Sequence, residues 1–149
     1  MVAVAAAVQA SMDSYRDNER FADATQTARF VLGRMMREIR TAEAVDATST
    51  TLSIIPPAGD GLTLIEYDFD DGTLYYRQTI DGSTTSQPLI ASDEKVTLQS
   101  MTITQMLGPD PENPEQTCTE SVTVRIVLVS GNQQVDMTAS ACPRRNRPF

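Results

Sequence analysis

The sequence predicts an α+β fold in which one long N-terminal helix packs on an antiparallel β-sheet. Up to residue 45 there is no proline, and the apolar residues recur at spacings of three and four, as on one face of a helix. From Thr51 onward the apolar residues alternate with a period of two, and short turn signals separate the runs, which is typical of antiparallel strands. The 149 residues suit one domain with a single core.

The helix is predicted from an apolar stripe that ends near Val45. We expect its central members to pack on the sheet; these are Ala28, Leu32, Met35 and Ile39. Residues 2–10 extend the helix to about 44 residues, or about 65 Å. Because this exceeds the width of such a small domain, we expect residues 2–20 to project, unless the helix breaks near Gly33 or in the polar run 13–23.

We assign residues 1–46 to the helix and residues 47–149 to the sheet region, as parts of one domain. Asp-Gly pairs at residues 71–72 and 81–82 and a Gly-Asn pair at residues 131–132 predict tight hairpins. A slip in the alternation at Ser100 predicts a β-bulge.

The composition argues against an enzyme. The chain has no histidine, which excludes Ser-His-Asp and Cys-His sites and metals bound through imidazole. Two cysteines are too few for a four-thiolate metal site. Ser83–Ser86 has no base nearby in sequence and is interpreted as a surface loop.

The net charge of −8 opposes binding of DNA to the bulk surface. The basic tail Arg144–Arg147 is an exception. It either contacts phosphate or an acidic neighbouring subunit, or is a solvated terminus.

The two cysteines, Cys118 and Cys142, are far apart in sequence and form no CxxC motif. This arrangement predicts one structural disulfide and an oxidising compartment, with two buried free thiols as the alternative.

Two acidic segments were weighed as calcium sites. Asp68–Gly72 resembles the start of a calcium loop, but the position that requires glutamate is Thr79, and a hairpin explains the segment without metal. The second segment is interpreted as a solvated acidic loop, with calcium as the alternative; its carboxylates belong to Asp110, Glu112, Glu115 and Glu120. We therefore expect no cofactor.

Residues 28–42 read ARFVLGRMMREIRTA. This stretch resembles prepilin-type proteins, the minor type IV pilins and type II secretion pseudopilins. These often carry Ala-Arg-x-x-Leu-x-x-Met/Leu-x-Arg-Glu/Asp-Ile-Arg-x-Ala in the second half of their long helix. The order of helix, strands, late cysteine pair and a C-terminal Arg145-Asn146 is also similar. The family's cleavage site and its apolar span with an early glutamate are absent, and residues 2–10 are interpreted as the tail of that span.

The resemblance implies a structural function. The helix would anchor a single-pass precursor in the inner membrane and then pack among the helices of other pilin or pseudopilin subunits. The globular region would face the periplasm and then the cell exterior, with no small-molecule substrate. The alternative is a freestanding secreted or periplasmic binding domain, in which the alanine-rich start is the remnant of a signal peptide.

Overall fold

The computed structural model describes residues 2–59, 61–93, 95–144 and 148–149. Within these ranges one helix precedes eight strands, so the class is α+β, as predicted. The elements are α1 (Val2–Thr41), β1 (Ala44–Ala47), β2 (Thr51–Ile55), β3 (Leu62–Asp70), β4 (Thr73–Ile80), β5 (Ser83–Ala91), β6 (Thr97–Pro109), β7 (Thr117–Ser130) and β8 (Gln133–Ala141).

The strands form two antiparallel sheets, whereas the sequence predicted one. Sheet 1 has the order β1-β2-β3-β4-β5, and sheet 2 has the order β6-β7-β8. The chain changes sheets at Asp93, whose Oδ1 accepts hydrogen bonds from the backbone N–H groups of Val96 (2.6 Å) and Lys95 (2.8 Å). These bonds hold the pKa of the Asp93 carboxyl below its usual value. They also turn the chain, so that β6 starts a new sheet.

The predicted hairpins and the predicted bulge are confirmed. Asp71 and Gly72 both have positive φ, at 42° and 73°, as do Asp81 and Gly82, at 49° and 79°. Positive φ at both central residues is what a type I′ hairpin turn requires. The register between β6 and β7 shifts between Leu98 and Ser100, where the alternation of the sequence slips.

Residues 83–86, which we expected to form a surface loop, are the first part of β5. They pair with β4 in a register that runs from Ile80 opposite Ser83 to Arg77 opposite Ser86. This part of β5 is exposed at the edge of sheet 1, so its pairing depends on backbone hydrogen bonds. An exposed strand needs no alternating apolar residues, and the sequence therefore shows no strand pattern here.

The helix α1 is unbroken at Gly33 and through residues 13–23, and its 40 residues span about 60 Å. It ends at Thr41, earlier than the boundary at 46. The backbone N–H of Glu43 donates to the carbonyl oxygen of Ile55 (2.9 Å), and Ala44–Ala47 pairs with β2. The end of the apolar stripe therefore belongs to strand β1 and not to the helix.

The hydrophobic core joins the helix to both sheets. Ala28, Leu32, Met35 and Ile39 are all buried in it, as the stripe predicted. The largest fully buried partners come from sheet 1 and sheet 2 alike; they include Tyr67, Leu52, Leu74, Ile126 and Leu128.

Side chains of sheet 2 satisfy the free edge of β1. Thr119 Oγ1 donates to the carbonyl oxygen of Val45, and Gln105 Oε1 accepts from the backbone N–H of Ala47 (3.2 Å). Gln105 Nε2 in turn donates to Thr119 Oγ1. These bonds replace the strand that would otherwise cover β1, so the two sheets meet without unpaired backbone groups at these two residues.

The N-terminal part of α1 projects beyond the sheets. Among the described side chains, residues 4 and 6–16 are exposed. Contacts between the helix and the sheet region begin at Asp17, slightly earlier than the end of the projecting segment that we expected at residue 20. There Lys95 Nζ lies 3.5 Å from Asp17 Oδ2, and Gln133 Nε2 donates to Asn18 Oδ1 (3.2 Å). The side chains of Val2, Ala3 and Ala5 lie outside the described residues.

Charges placed at the two ends of the helix should have opposite consequences. Met35→Asp puts a carboxylate in the core and should lower the free energy of unfolding by about 3 kcal/mol or more. Val8→Asp alters an exposed position and should change it by less than about 0.5 kcal/mol. Chemical denaturation of both variants tests this. Equal destabilisation would show that the helix folds back on the domain.

Candidate functional site

A hydrogen-bonded network holds α1 on sheet 1. Glu38 Oε2 accepts from the hydroxyl of Tyr67 (2.7 Å), and Glu38 Oε1 accepts from Arg34 Nε (2.9 Å). The Arg34 guanidinium lies over the ring of Tyr76, 4.0 Å from its centroid. The Tyr67 and Tyr76 rings are 5.3 Å apart. Because Glu38 must face these strands, the network sets the rotation of the helix about its own axis.

Burial raises the pKa of Tyr67, and the nearby Glu38 carboxylate raises it further. The same two causes raise the pKa of Tyr76. Both phenols therefore stay protonated and neutral, and Tyr67 acts as a hydrogen-bond donor that links a strand to the helix.

The rotation set by Glu38 turns an apolar stripe of α1 away from the sheets. Its members, which follow at spacings of four, four and three residues, are Val4, Val8, Met12 and Tyr15. They are 69%, 49%, 54% and 72% exposed. At 3.6 residues per turn they lie on the side of the helix opposite the buried stripe, and Phe30, 67% exposed, lies on the same outward side. This outward helix face is the candidate functional surface.

Two grooves on the surface were compared with this face as candidate sites. A groove of about 730 Å³ lies between α1 and the β7–β8 turn, and its lining includes Asp13, Asp17, Lys95 and Asn132. A smaller one of about 290 Å³ lies beside Cys118 and Phe149. Neither lining contains a nucleophile paired with a base in the described part of the chain.

In the first candidate calcium segment, Asp68–Gly72, the described contacts are with other protein groups. Asp68 Oδ2 pairs with Arg77 Nη2 (2.9 Å), and Asp68 Oδ1 accepts from Thr51 Oγ1 (2.9 Å). Asp71 and Gly72 form the hairpin turn.

In the second segment, Asp110 is buried and its Oδ1 accepts from the backbone N–H of Glu112 (2.9 Å). Glu112, Glu115 and Glu120 are exposed. Across the described ranges the structure gathers no group of three or more His, Cys, Asp or Glu side chains that would hold a metal ion.

The Cys118–Cys142 disulfide predicted from the sequence is not formed in the structure. Both cysteines are free; Cys118 is buried and Cys142 is exposed. The strand register gives the reason, since β8 ends with Ala141 opposite Val122, four residues along β7 from Cys118. In these registers Cys118 lies opposite Gly108 of β6, and Cys142 lies just beyond the end of β8.

In the C-terminal tail, Arg144 is exposed, and Arg145, Asn146 and Arg147 lie outside the described residues. Among the helical residues that the structure describes, no segment has both the length and the apolar character needed to cross a membrane.

Sequence reasoning missed the side chains that orient the helix. Glu38 looked like one of several surface charges, and Tyr67 and Tyr76 looked like ordinary strand residues. A signal was available, because a buried tyrosine hydroxyl needs a hydrogen-bond partner. Choosing Glu38 as that partner required the tertiary contact.

Comparison with protein-family models, with curated proteins and with solved structures finds no match to this chain.

Tyr67→Phe should expose the role of the network. At neutral pH it should lower the free energy of unfolding by about 1–3 kcal/mol, because the partly buried Glu38 carboxylate loses a hydrogen-bond donor. Above pH about 10 the unfolded tyrosines ionise while the folded ones hold their protons, so wild-type stability should fall as pH rises. The fall should be smaller in Tyr67→Phe.

Thermal melts between pH 7 and 11 measure both effects. The control Tyr15→Phe alters an exposed ring and should leave the melting temperature at pH 7 unchanged. Identical pH profiles for Tyr67→Phe and wild type would contradict the assignment.

The thiols should differ in reactivity. Burial raises the pKa of the Cys118 thiol, and the charges of Asp110 and Glu120 raise it further. In the native protein an alkylating reagent should therefore modify Cys142 and spare Cys118, and both should react after denaturation without reductant. Mass spectrometry of the peptides reads this out. No free thiol after denaturation would show that the chain after Ala141 moves to form the disulfide.

Proposed function

We propose that this chain is a non-enzymatic structural subunit, a minor pilin or pseudopilin that takes part in the assembly of a type IV pilus or a type II secretion pseudopilus. The observation that carries the proposal is the projecting part of α1 with its exposed stripe at Val4, Val8, Met12 and Tyr15. The protein works through this surface, by contact with other subunits.

The energetics of the stripe support a helical partner. Apolar surface removed from water stabilises an association by about 25 cal/mol per Å². These side chains find no such cover within the described chain. An amphipathic helix presents residues three and four apart, and the matching surface is the apolar face of another helix.

The resemblance of residues 28–42 to prepilin-type proteins supports the same proposal. In that family the second half of the long helix packs on the globular region, and here those residues include the buried Leu32, Met35 and Ile39. The first half is the part that meets other subunits. The projecting segment of α1 occupies that place in this chain.

The proposal includes a location and a set of partners. The precursor is held in the inner membrane, with the sheet region in the periplasm, and the assembled form reaches the cell exterior. The partners are other pilin or pseudopilin subunits. The charge of −8 makes DNA a poor ligand for the sheet region.

A charge on the projecting stripe should block assembly. Val8→Asp puts a carboxylate where a neighbouring helix would pack, so the gene product in its native cells should leave the filament fraction and no longer co-purify with other prepilin-type subunits. The matched control is Thr138→Asp, which adds the same charge at an exposed position of β8. It should assemble as the wild type does. Immunoblots of sheared filaments and of membranes measure both variants.

Normal assembly of Val8→Asp would contradict the proposal. Complementation of a gene deletion by a chain that lacks residues 2–16 would contradict it as well. Either result would favour the freestanding secreted or periplasmic binding domain.

A further inference from the structure

The outward side of α1 carries unpaired positive charge where it crosses the domain. Residues 24–41 contain four arginines and one glutamate. That glutamate, Glu38, is turned toward the sheet and bonded to Arg34 and Tyr67. The other three arginines, Arg29, Arg37 and Arg40, are exposed, and none takes part in the ion pairs of the described residues.

Two uncharged residues on the same face point to a contact. Phe30 is 67% exposed although it lies beside the core. Gly33 lies one turn from Phe30 and from Arg37, and a Cβ built on it would meet nothing within 4 Å. A helix interior is weakened by glycine relative to alanine, and the packing within the chain does not require glycine here. The missing side chain leaves room for the backbone of a partner.

The rest of the chain has the opposite charge. Residues 47–149 contain thirteen acidic and six basic residues. Between Lys95 and Arg125 there are four acidic residues and no basic one. Three of these four carboxylates, those of Glu112, Glu115 and Glu120, are exposed and take no part in the ion pairs of the described residues.

The loop between β6 and β7 holds this charge in a defined shape. The backbone N–H of Asp110 donates to the carbonyl oxygen of Gln116, and the N–H of Gln116 donates to that of Asn113, both at 2.9 Å. Pro111 and Pro114 are exposed next to Glu112 and Glu115. The loop therefore presents alternating apolar and acidic groups, which complement an aromatic ring flanked by arginines. Because it is ordered beforehand, binding it costs little conformational entropy.

From this complementarity we infer that the helix face formed by Arg29, Phe30, Gly33, Arg37 and Arg40 docks on the acidic loop 110–116 of a second copy of this chain. In the proposed filament the contact is heterologous, because the helix face of each copy meets one neighbour and its loop meets the other. A heterologous contact that does not close repeats along a filament. The inference deepens the proposed function by naming the surface through which successive copies meet, and it rests on that function only for its place in a filament.

Self-association of the purified chain tests the contact directly. Sedimentation velocity over a concentration series at low ionic strength should show association in the wild type. Arg37→Glu should raise the dissociation constant about five-fold. Arg20→Glu makes the same change of charge at an exposed position of α1 outside this face and should leave the dissociation constant unchanged. Raising the salt to about 1 M, where the Debye length is about 3 Å, should weaken the wild-type association as well.

A charge swap identifies the partner surface. Glu115→Arg alone should associate as weakly as Arg37→Glu alone. An equimolar mixture of the two variants should recover association, because the glutamate at position 37 of one copy meets the arginine at position 115 of the other.

Gly33→Ala separates docking from folding. It should raise the melting temperature by about 2–4 °C, as an alanine in an open helical position does, and yet weaken self-association. A residue with a purely structural role would not move the two measurements in opposite directions.

Three results would each overturn the inference. These are a wild-type chain that stays monomeric at every concentration, equal weakening by Arg37→Glu and Arg20→Glu, and no recovery in the mixture. A failure of the proposed function alone would give another result. Val8→Asp would then assemble normally in cells, and Arg37→Glu would still weaken self-association of the purified chain.

Discussion

The buried face of α1 is the constraint on which the rest of the structure depends. Within the described residues, sheet 1 and sheet 2 share no strand ladder, so backbone pairing between strands does not close them over a common core. Ala28, Leu32, Met35 and Ile39 do so, because each lies in the one hydrophobic cluster that both sheets enter. The side-chain bonds of Thr119 and Gln105 to β1 complete the junction by satisfying backbone groups that the two sheets leave free.

Fixing one face of the helix also decides what the other face can do. Glu38 is bonded to Arg34 and Tyr67 on the inner side, so the only acidic residue of segment 24–41 is withdrawn from the surface. From residue 24 onward the outward side has exposed arginines and Phe30, and the exposed Asp23 lies beside Phe30 at the N-terminal edge of this segment. The same bonds that stabilise the domain thus create the charge separation on which the inferred contact between copies depends.

The two halves of α1 differ in what keeps them helical. From Asp17 onward the helix has tertiary cover, and its stability is shared with the core. Residues 6–16 have exposed side chains, and a helix of this length is marginal in water without packing. In the proposed filament, the neighbouring helices would supply the packing that this segment lacks, so its order and its function have the same origin.

The helix, the hairpins and the buried stripe could be predicted from the sequence, because these depend on local periodicity and on turn residues such as Asp71 and Gly72. The 149 residues contain no histidine. Tertiary contacts were needed to show that the strands divide into two sheets, that Ser83–Ser86 pair as an edge strand, and that Cys118 is buried while Cys142 is exposed. They also showed that Glu38 is an inner residue. These features depend on which distant elements become neighbours. Alternation of side chains shows which face of a strand is buried, and turn residues fix the register within a hairpin, but neither specifies a non-local partner.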